Sequence, residues 1–315
     1  MSEAAVQTAA VVLCPGQGAQ VVGMGRAWCE RSAAARAVFD EADAVLGATL
    51  GSKLSELCFN GPAERLNQTD VSQPAIYTCS VACYRALIER DGEMPIAATA
   101  GLSLGEYTAL HLAGVFGFAD GLRLVAVRGR YMQEAAEASR GSMVALIGAE
   151  DEQAFAVCEA AAQGEVLVPA NFNAPGQIVL SGHATACERA VEVASGMGLR
   201  ATALTVAGAF HSPLMQPAAD RMGEALAAVA LSKPRIQVWS NVTAEPHDPD
   251  DLELLRLRLV QQITSPVKWA QSCVKLAASS SDQPYDFREL APGSVLRGLM
   301  RRIDRQIKVT SHDEP

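Results

Sequence analysis

The stretch that most restricts what this chain can become is Gly101-Leu102-Ser103-Leu104-Gly105-Glu106. An apolar run, Pro95 to Ala100, leads into it, and a helical pattern, Tyr107 to Ala113, leads out. Strand, G-x-S-x-G, helix is the setting of a nucleophile elbow. Its two glycines permit a sharp, strained turn that leaves the serine hydroxyl at the tip, with a helix N-terminus behind it. A chain of 315 residues should hold on the order of 0.1 such strings by chance, so the flanks carry as much of the inference as the string. Alanine and valine are plentiful, and aromatics make up only 5% of the chain, which suits helices packed closely on a parallel sheet.

Composition removes several functions. With 49% hydrophobic and 19% charged residues the chain reads as a globular enzyme with ample core, not as a disordered segment. A formal charge of −9 without a basic stripe argues against nucleic-acid binding. No apolar run approaches the ~20 residues of a membrane span. Met1 to Ala5 lack the basic start of a signal peptide, so the expected location is cytoplasmic. Cys14, Cys29, Cys58, Cys79, Cys83, Cys158, Cys187 and Cys273 contain no C-x-x-C pair. Buried free thiols in a reducing compartment account for them better than a metal or disulfides.

Residues 9–14 read as a buried strand running into Pro15-Gly16-Gln17-Gly18-Ala19-Gln20. A dinucleotide loop fails here, because Val21 stands where G-x-G-x-x-G needs its last glycine. The loop can still offer backbone N–H groups, with the Gln17 amide beside them, to an oxyanion or a phosphate. Helical patterns follow at 26–47 and 74–90, and after the elbow at 121–136. Residues 141–206 then read β-α-β-β-α-β, with strands at 142–148, 165–172, 177–181 and 199–206 and helices at 151–162 and 184–195. That order is ferredoxin-like and marks a small subdomain, 139–206, inserted into an α/β body formed by 1–138 and 207–315. Beyond it Ser212 caps and Pro213 opens a helix, a strand spans 236–240, and helices lie near 250–262 and 266–278. Asp286–Leu290 reads as the last strand, before a final helix at 294–305.

A serine nucleophile needs a base, and histidine is the usual one. His312 lies in a tail, His247 in a surface loop, and His183 caps a helix of the insert. His111 sits on a helix aimed away from Ser103, which leaves His211 in an apolar loop. No acid between Ser103 and His211 stands at a strand end, so the third member is either hidden or not a carboxylate.

Several stretches together resemble the malonyl-CoA:acyl-carrier-protein transacylase family and the related acyltransferase domains of polyketide and fatty-acid synthases. They are Pro15–Gln20, Gly101–Glu106, Arg128-Gly129-x-x-Met132, Asn171–Gln177, Gly208–His211, Asn241-Val242, Gln262 before Ser265-Pro266-Val267, and Pro292-Gly293-x-Val295-Leu296. They fall in family order over residues 10–305. The resemblance implies a hydrolase-like parallel-sheet core and a two-step transfer of malonyl from malonyl-CoA, through a Ser103 ester, to the phosphopantetheine thiol of acyl carrier protein. His211 would be general base and then acid, held by a main-chain carbonyl or amide oxygen at Gln262. The N–H groups of Gln17 and Leu104 would form the oxyanion hole. Arg128 would pair with the free malonyl carboxylate, and Met132, Phe210 and Asn173 would line the substrate site.

The resemblance implies no metal or redox cofactor, and the expected state is a monomer. Leu102 departs from the histidine common in G-H-S-x-G. Arg297, Arg301, Arg302 and Arg305 lie largely along one side of the last helix, either as solvated cations or as a patch for an acidic carrier. A discrete acyltransferase of a polyketide synthase would use the same residues, and so would a serine acyl hydrolase. A silent scaffold would need none of them.

Overall fold

A computed structural model describes residues 8–279 and 284–315; the expectation for Met1 to Ala5 lies outside them. The described strands are β1 (Ala10–Cys14), β2 (Ile96–Gly101), β3 (Gly141–Ile147), β4 (Leu167–Ala174), β5 (Gln177–His183), β6 (Arg200–Ala203), β7 (Gln237–Trp239), β8 (Asp286–Leu290) and β9 (Val309–His312). Five of them form a parallel sheet in the order β7-β2-β1-β8-β9, and the other four a separate antiparallel sheet in the order β4-β5-β3-β6.

Parallel strands at a sheet centre are covered on both faces, so they are apolar throughout rather than alternating. β1, Ala-Val-Val-Leu-Cys, is buried at every position. Its period of two still sorts the core: Ala10, Val12 and Cys14 enter one apolar cluster, and Val11 and Leu13 the other. The first cluster holds the helix Thr69–Asp91, which is buried almost all round and packs against the helices Ala33–Leu46 and Phe118–Ser139. The second holds Trp269 and Met300, from the helices Trp269–Ser279 and Val295–Ile303.

In the antiparallel sheet the same alternation sets the position of the site. Val144 and Leu146 of β3 pack under the helices Asp151–Ala162 and Ala184–Gly196, while Met143 and Ala145 face the body. The body-facing side is stitched on by main-chain bonds: Phe172 N–H donates to the Val267 carbonyl at 2.9 Å and Val267 N–H to that of Ala170 at 2.8 Å.

The expected β-α-β-β-α-β order is present between residues 141 and 203. Elsewhere the structure differs. The helical pattern at 26–47 is two helices, broken where the Ser32 hydroxyl caps Ala33–Leu46 by accepting from Ala35 N. The helix read from Pro74 starts at Thr69, so the proline lies inside it. The turn after Ser212 is a short 3₁₀ segment, Pro213–Met215, before the helix Gln216–Ala227. Asp286–Leu290 is not the last strand, and His312 is not in a loose tail: β9 pairs in parallel with β8 and ends on His312. Four residues with one apolar anchor, Val309, carry too little periodicity to announce a strand. All eight cysteines are buried and free, and burial holds their thiols above the ordinary range.

Candidate active site

Ser103 sits between the end of β2 and the helix Gly105–Leu112 with φ 53°, a left-handed conformation that costs a non-glycine residue about 1–2 kcal/mol. The strain falls on the serine itself. The flanking glycines serve a different need: a Cβ on Gly101 would lie 1.9 Å from the Gly105 carbonyl carbon, and one on Gly105 2.1 Å from the Cys14 carbonyl oxygen. The elbow is thus folded tightly on itself and against β1. Asn241 pins it, its Oδ1 accepting from Ser103 N–H at 2.6 Å and its Nδ2 donating to the Gly101 carbonyl at 2.7 Å.

His211 is also left-handed, φ 57°, and buried. Its Nε2 lies 2.8 Å from Ser103 Oγ, and its Nδ1 lies 2.7 Å from the main-chain carbonyl of Gln262. A carbonyl only accepts, so Nδ1 carries the proton and Nε2 presents its lone pair to the serine hydroxyl. Among the described residues the third member is therefore not a carboxylate. Burial, then the neighbouring Arg128 charge, lowers the His211 pKa to about 4. The ring is a neutral acceptor at ordinary pH.

Arg128 reaches the same point from the helix Phe118–Ser139. One NH2 group donates to Ser103 Oγ at 3.1 Å and to Gln262 Oε1 at 2.9 Å; NH1 donates to Gln73 Oε1 at 2.6 Å. The guanidinium carbon stands 5.4 Å over the Tyr107 ring. The residue is 1% exposed, yet no carboxylate among the described residues forms an ion pair with it. Gly129 explains how it gets there: a Cβ would lie 2.6 Å from the Thr69 carbonyl oxygen, so the bare backbone lets the two helices close and carry Arg128 inward.

The loop of Gln17 packs on the elbow, where a Cβ on Gly16 would lie 2.2 Å from the Leu102 carbonyl oxygen. The Gln17 side-chain Nε2 donates to Thr69 Oγ1 at 3.0 Å, which turns the amide toward the helix Thr69–Asp91. Among the described residues the Gln17 and Leu104 N–H groups meet no acceptor.

These groups line a cavity of about 490 Å³, within the range of small-ligand sites. Met132 and Phe210 supply apolar wall, and the Asn173 side chain reaches it from β4 with a buried Oδ1 that meets no partner among the described residues. Leu102 also lines the cavity while packing against the second apolar cluster. Beside it, and sharing the helix Val295–Ile303, opens a larger cleft of about 1140 Å³ that carries Arg297, Arg301, Arg302, Arg305 and Lys308. Among the described residues only the helix Arg302 has a side-chain partner there, Gln177 Oε1 at 2.6 Å.

Two other histidines lie as expected. The His111 Nδ1 lies 3.1 Å from the Phe116 carbonyl, away from Ser103, and His183 occupies a helix N-cap position. His247 does not. It is buried, its Nε2 2.7 Å from Glu106 Oε1. Glu106, fully buried, accepts from Gln262 Nε2 at 2.6 Å and from Asn241 N–H at 3.1 Å. Gln73, Glu106 and His247 thus belong to the surroundings of the site without having been singled out for it. Glu106 stood inside the hexapeptide on the same helix face as Ala109, Leu110 and Ala113, but a carboxylate in a first helical turn is ordinarily solvent-exposed, so its type masked its burial. Nothing in the Pro-Asp surroundings of His247 marks it either.

Residues 11–310 match the family model described as the acyl transferase domain. The malonyl CoA-acyl carrier protein transacylase of Escherichia coli (strain K12) is 42% identical over 302 residues, 96% of this chain and 94% of that protein. The crystal structure of an acyl-carrier-protein S-malonyltransferase from Bartonella henselae superposes with a TM-score of 0.89 at 41% identity, covering 96% of this chain and 95% of that one. A malonyl-transacylase solved in complex with its type II polyketide-synthase acyl-carrier protein gives 0.90 at 35% identity, over 98% and 97% of the two chains.

Proposed function

The chain belongs to the acyl transferase domain family, among the malonyl CoA-acyl carrier protein transacylases, and we propose that it moves malonyl groups from malonyl-CoA to acyl carrier protein for fatty-acid or polyketide synthesis. One observation carries this reading: a buried guanidinium with no carboxylate partner among the described residues, in hydrogen-bond contact with the nucleophile. An unpaired buried charge is costly, and it is tolerated where a ligand supplies the counter-charge. Malonate differs from acetate by the carboxylate that fits there, and arginine's planar fork matches a carboxylate better than a point charge does.

In the first half-reaction Ser103 Oγ attacks the thioester carbon as His211 Nε2 takes its proton. The Gln17 and Leu104 N–H groups receive the oxyanion, which exists only in the tetrahedral state. Coenzyme A leaves as its sulfur takes the proton from His211, and malonyl-Ser103 remains, its carboxylate on Arg128. The carrier's phosphopantetheine thiol then gives its proton to His211 and attacks the ester; Ser103 Oγ takes that proton back on leaving. While malonyl is bound, its carboxylate offsets the Arg128 charge and makes His211 a stronger base. Met132, Phe210 and Asn173 bound the acyl and pantetheine space.

The body, 1–138 and 207–315, takes the hydrolase-like role, and the ferredoxin-like insert, 139–206, closes the cavity over it. The basic cleft lies where an acidic carrier would approach, against the protein's net charge of −9. The chain acts as a monomer in a reducing cytoplasm, without metal or redox cofactor; its eight buried thiols fit that setting. Incubation with malonyl-CoA followed by mass spectrometry should show malonyl on Ser103, released to carrier protein faster than to water. Free malonate as the dominant product would make the protein a hydrolase instead.

A further inference from the structure

Gln262 serves two groups at once. Its main-chain carbonyl holds His211 and its side-chain oxygen holds Arg128. Yet it lies just past the helix Leu252–Gln261, at the C-cap, where the carbonyl has no further helical turn to point into. The helix still holds its backbone, Gln262 N–H donating to the Arg258 carbonyl at 2.9 Å, so the carbonyl direction is set there; what holds its side chain is the other end of the amide. Nε2 donates to Glu106 Oε2 at 2.6 Å and to the Ser103 carbonyl at 3.0 Å. A carboxylate only accepts and a guanidinium only donates, so the amide between them has one orientation that satisfies both.

Glu106 is itself held from three sides. It collects N–H groups from Gln262, Asn241 and His247, and sits in the first turn of the helix Gly105–Leu112, where negative charge is favoured. No solvent reaches it. Through Gln262 it is also the buried negative end of a line whose positive end is Arg128.

We infer that Glu106, clamped by His247, is a positioning residue: it sets the Gln262 side-chain amide so that Arg128 is poised for a substrate carboxylate. The inference rests on the acyl-transfer reading, but it makes its own demand. Loading of an acyl group without a carboxylate uses His211 and not Arg128. Loss of Glu106 must therefore harm malonyl more than acetyl, which general loss of structure would not do.

The test measures Ser103 loading from malonyl-CoA and from acetyl-CoA in the full chain and in E106L, E106Q and H247L, with thermal unfolding alongside. E106L should lower the malonyl-to-acetyl ratio by about tenfold or more, as expected when a group near the reacting atoms is displaced. E106Q should keep the ratio within about threefold, because its amide oxygen can accept from Asn241 and Gln262 while its NH2 faces His247 in the other tautomer. H247L should fall between them. Equal proportional losses of both rates in E106L and H247L would overturn the inference, as would E106Q behaving like E106L. Should E106L fail to fold, an unchanged ratio in H247L overturns it. A wild-type protein that shows no malonyl preference would refute the functional reading instead, so the two failures are separable.

Discussion

Replacing Arg128 by methionine keeps most of the side-chain volume and removes the charge. Two effects on stability oppose each other. A fully buried, unpaired guanidinium costs several kcal/mol of desolvation, which the substitution recovers. Against this, Gln73 Oε1 and Gln262 Oε1 lose their donor, at about 1–3 kcal/mol each where water cannot replace it. Arg128 lines an open cavity, so water can reach part of the vacated space, and the melting temperature should move little. Catalysis has no such compensation. A charge-assisted pair between this buried guanidinium and the substrate carboxylate is worth about 3 kcal/mol, or about 100-fold in kcat/KM for malonyl-CoA. Acetyl-CoA should lose nothing through that contact. A second readout follows from His211, which Arg128 now holds low. The reaction needs neutral His211, so kcat/KM falls as pH drops through its pKa; the wild-type acid limb should lie near about 4 and that of the variant higher. Steady-state kinetics with both thioesters across pH decides the matter. Undiminished malonyl preference with an unmoved acid limb would refute the role given to Arg128.

Ser103→Ala should abolish the acyl-enzyme with the fold intact, while Ser103→Gly, equally inactive, should gain about 1 kcal/mol from relief of the left-handed strain at φ 53°; chemical denaturation of the pair checks it, and equal stabilities would count against strain at the elbow. His211 titrates lower in the folded chain than its ordinary value of 6.5, so the unfolded state takes the proton first. Its contribution is intact above pH 6.5 and declines toward about 4, a loss of up to about 3 kcal/mol that His211→Gln should largely remove from the pH–stability curve. Charge reversal at Arg301 and Arg302 should raise KM for carrier protein and flatten its salt dependence, with a smaller effect on Ser103 loading; an unchanged carrier KM would remove the cleft from the docking surface.

The elbow, the buried first strand and the β-α-β-β-α-β order were legible because each is a local pattern: glycine spacing, an apolar run, a change of period. Even there the reason for the glycines was not, since the Cβ positions they leave empty are filled by Gly105 backbone and by the Cys14 carbonyl, one from the turn itself and the other from a distant strand. β9 escaped notice because four residues paired at a sheet edge need little apolar character of their own.

The sequence by itself determined which groups could do chemistry: a serine on a tight turn, a histidine in an apolar loop, an arginine followed by glycine. Tertiary structure decided what they face. Arg128 meets Ser103 only because bare backbone at Gly129 lets its helix close on Thr69. The partner of His211 Nδ1 is a main-chain carbonyl, and every residue has one, so no side chain could announce it. Burial of Glu106 against His247 likewise depends on residues 141 positions apart. Local pattern specifies chemical identity and turn geometry; desolvation and opposition of charges exist only once distant segments have packed.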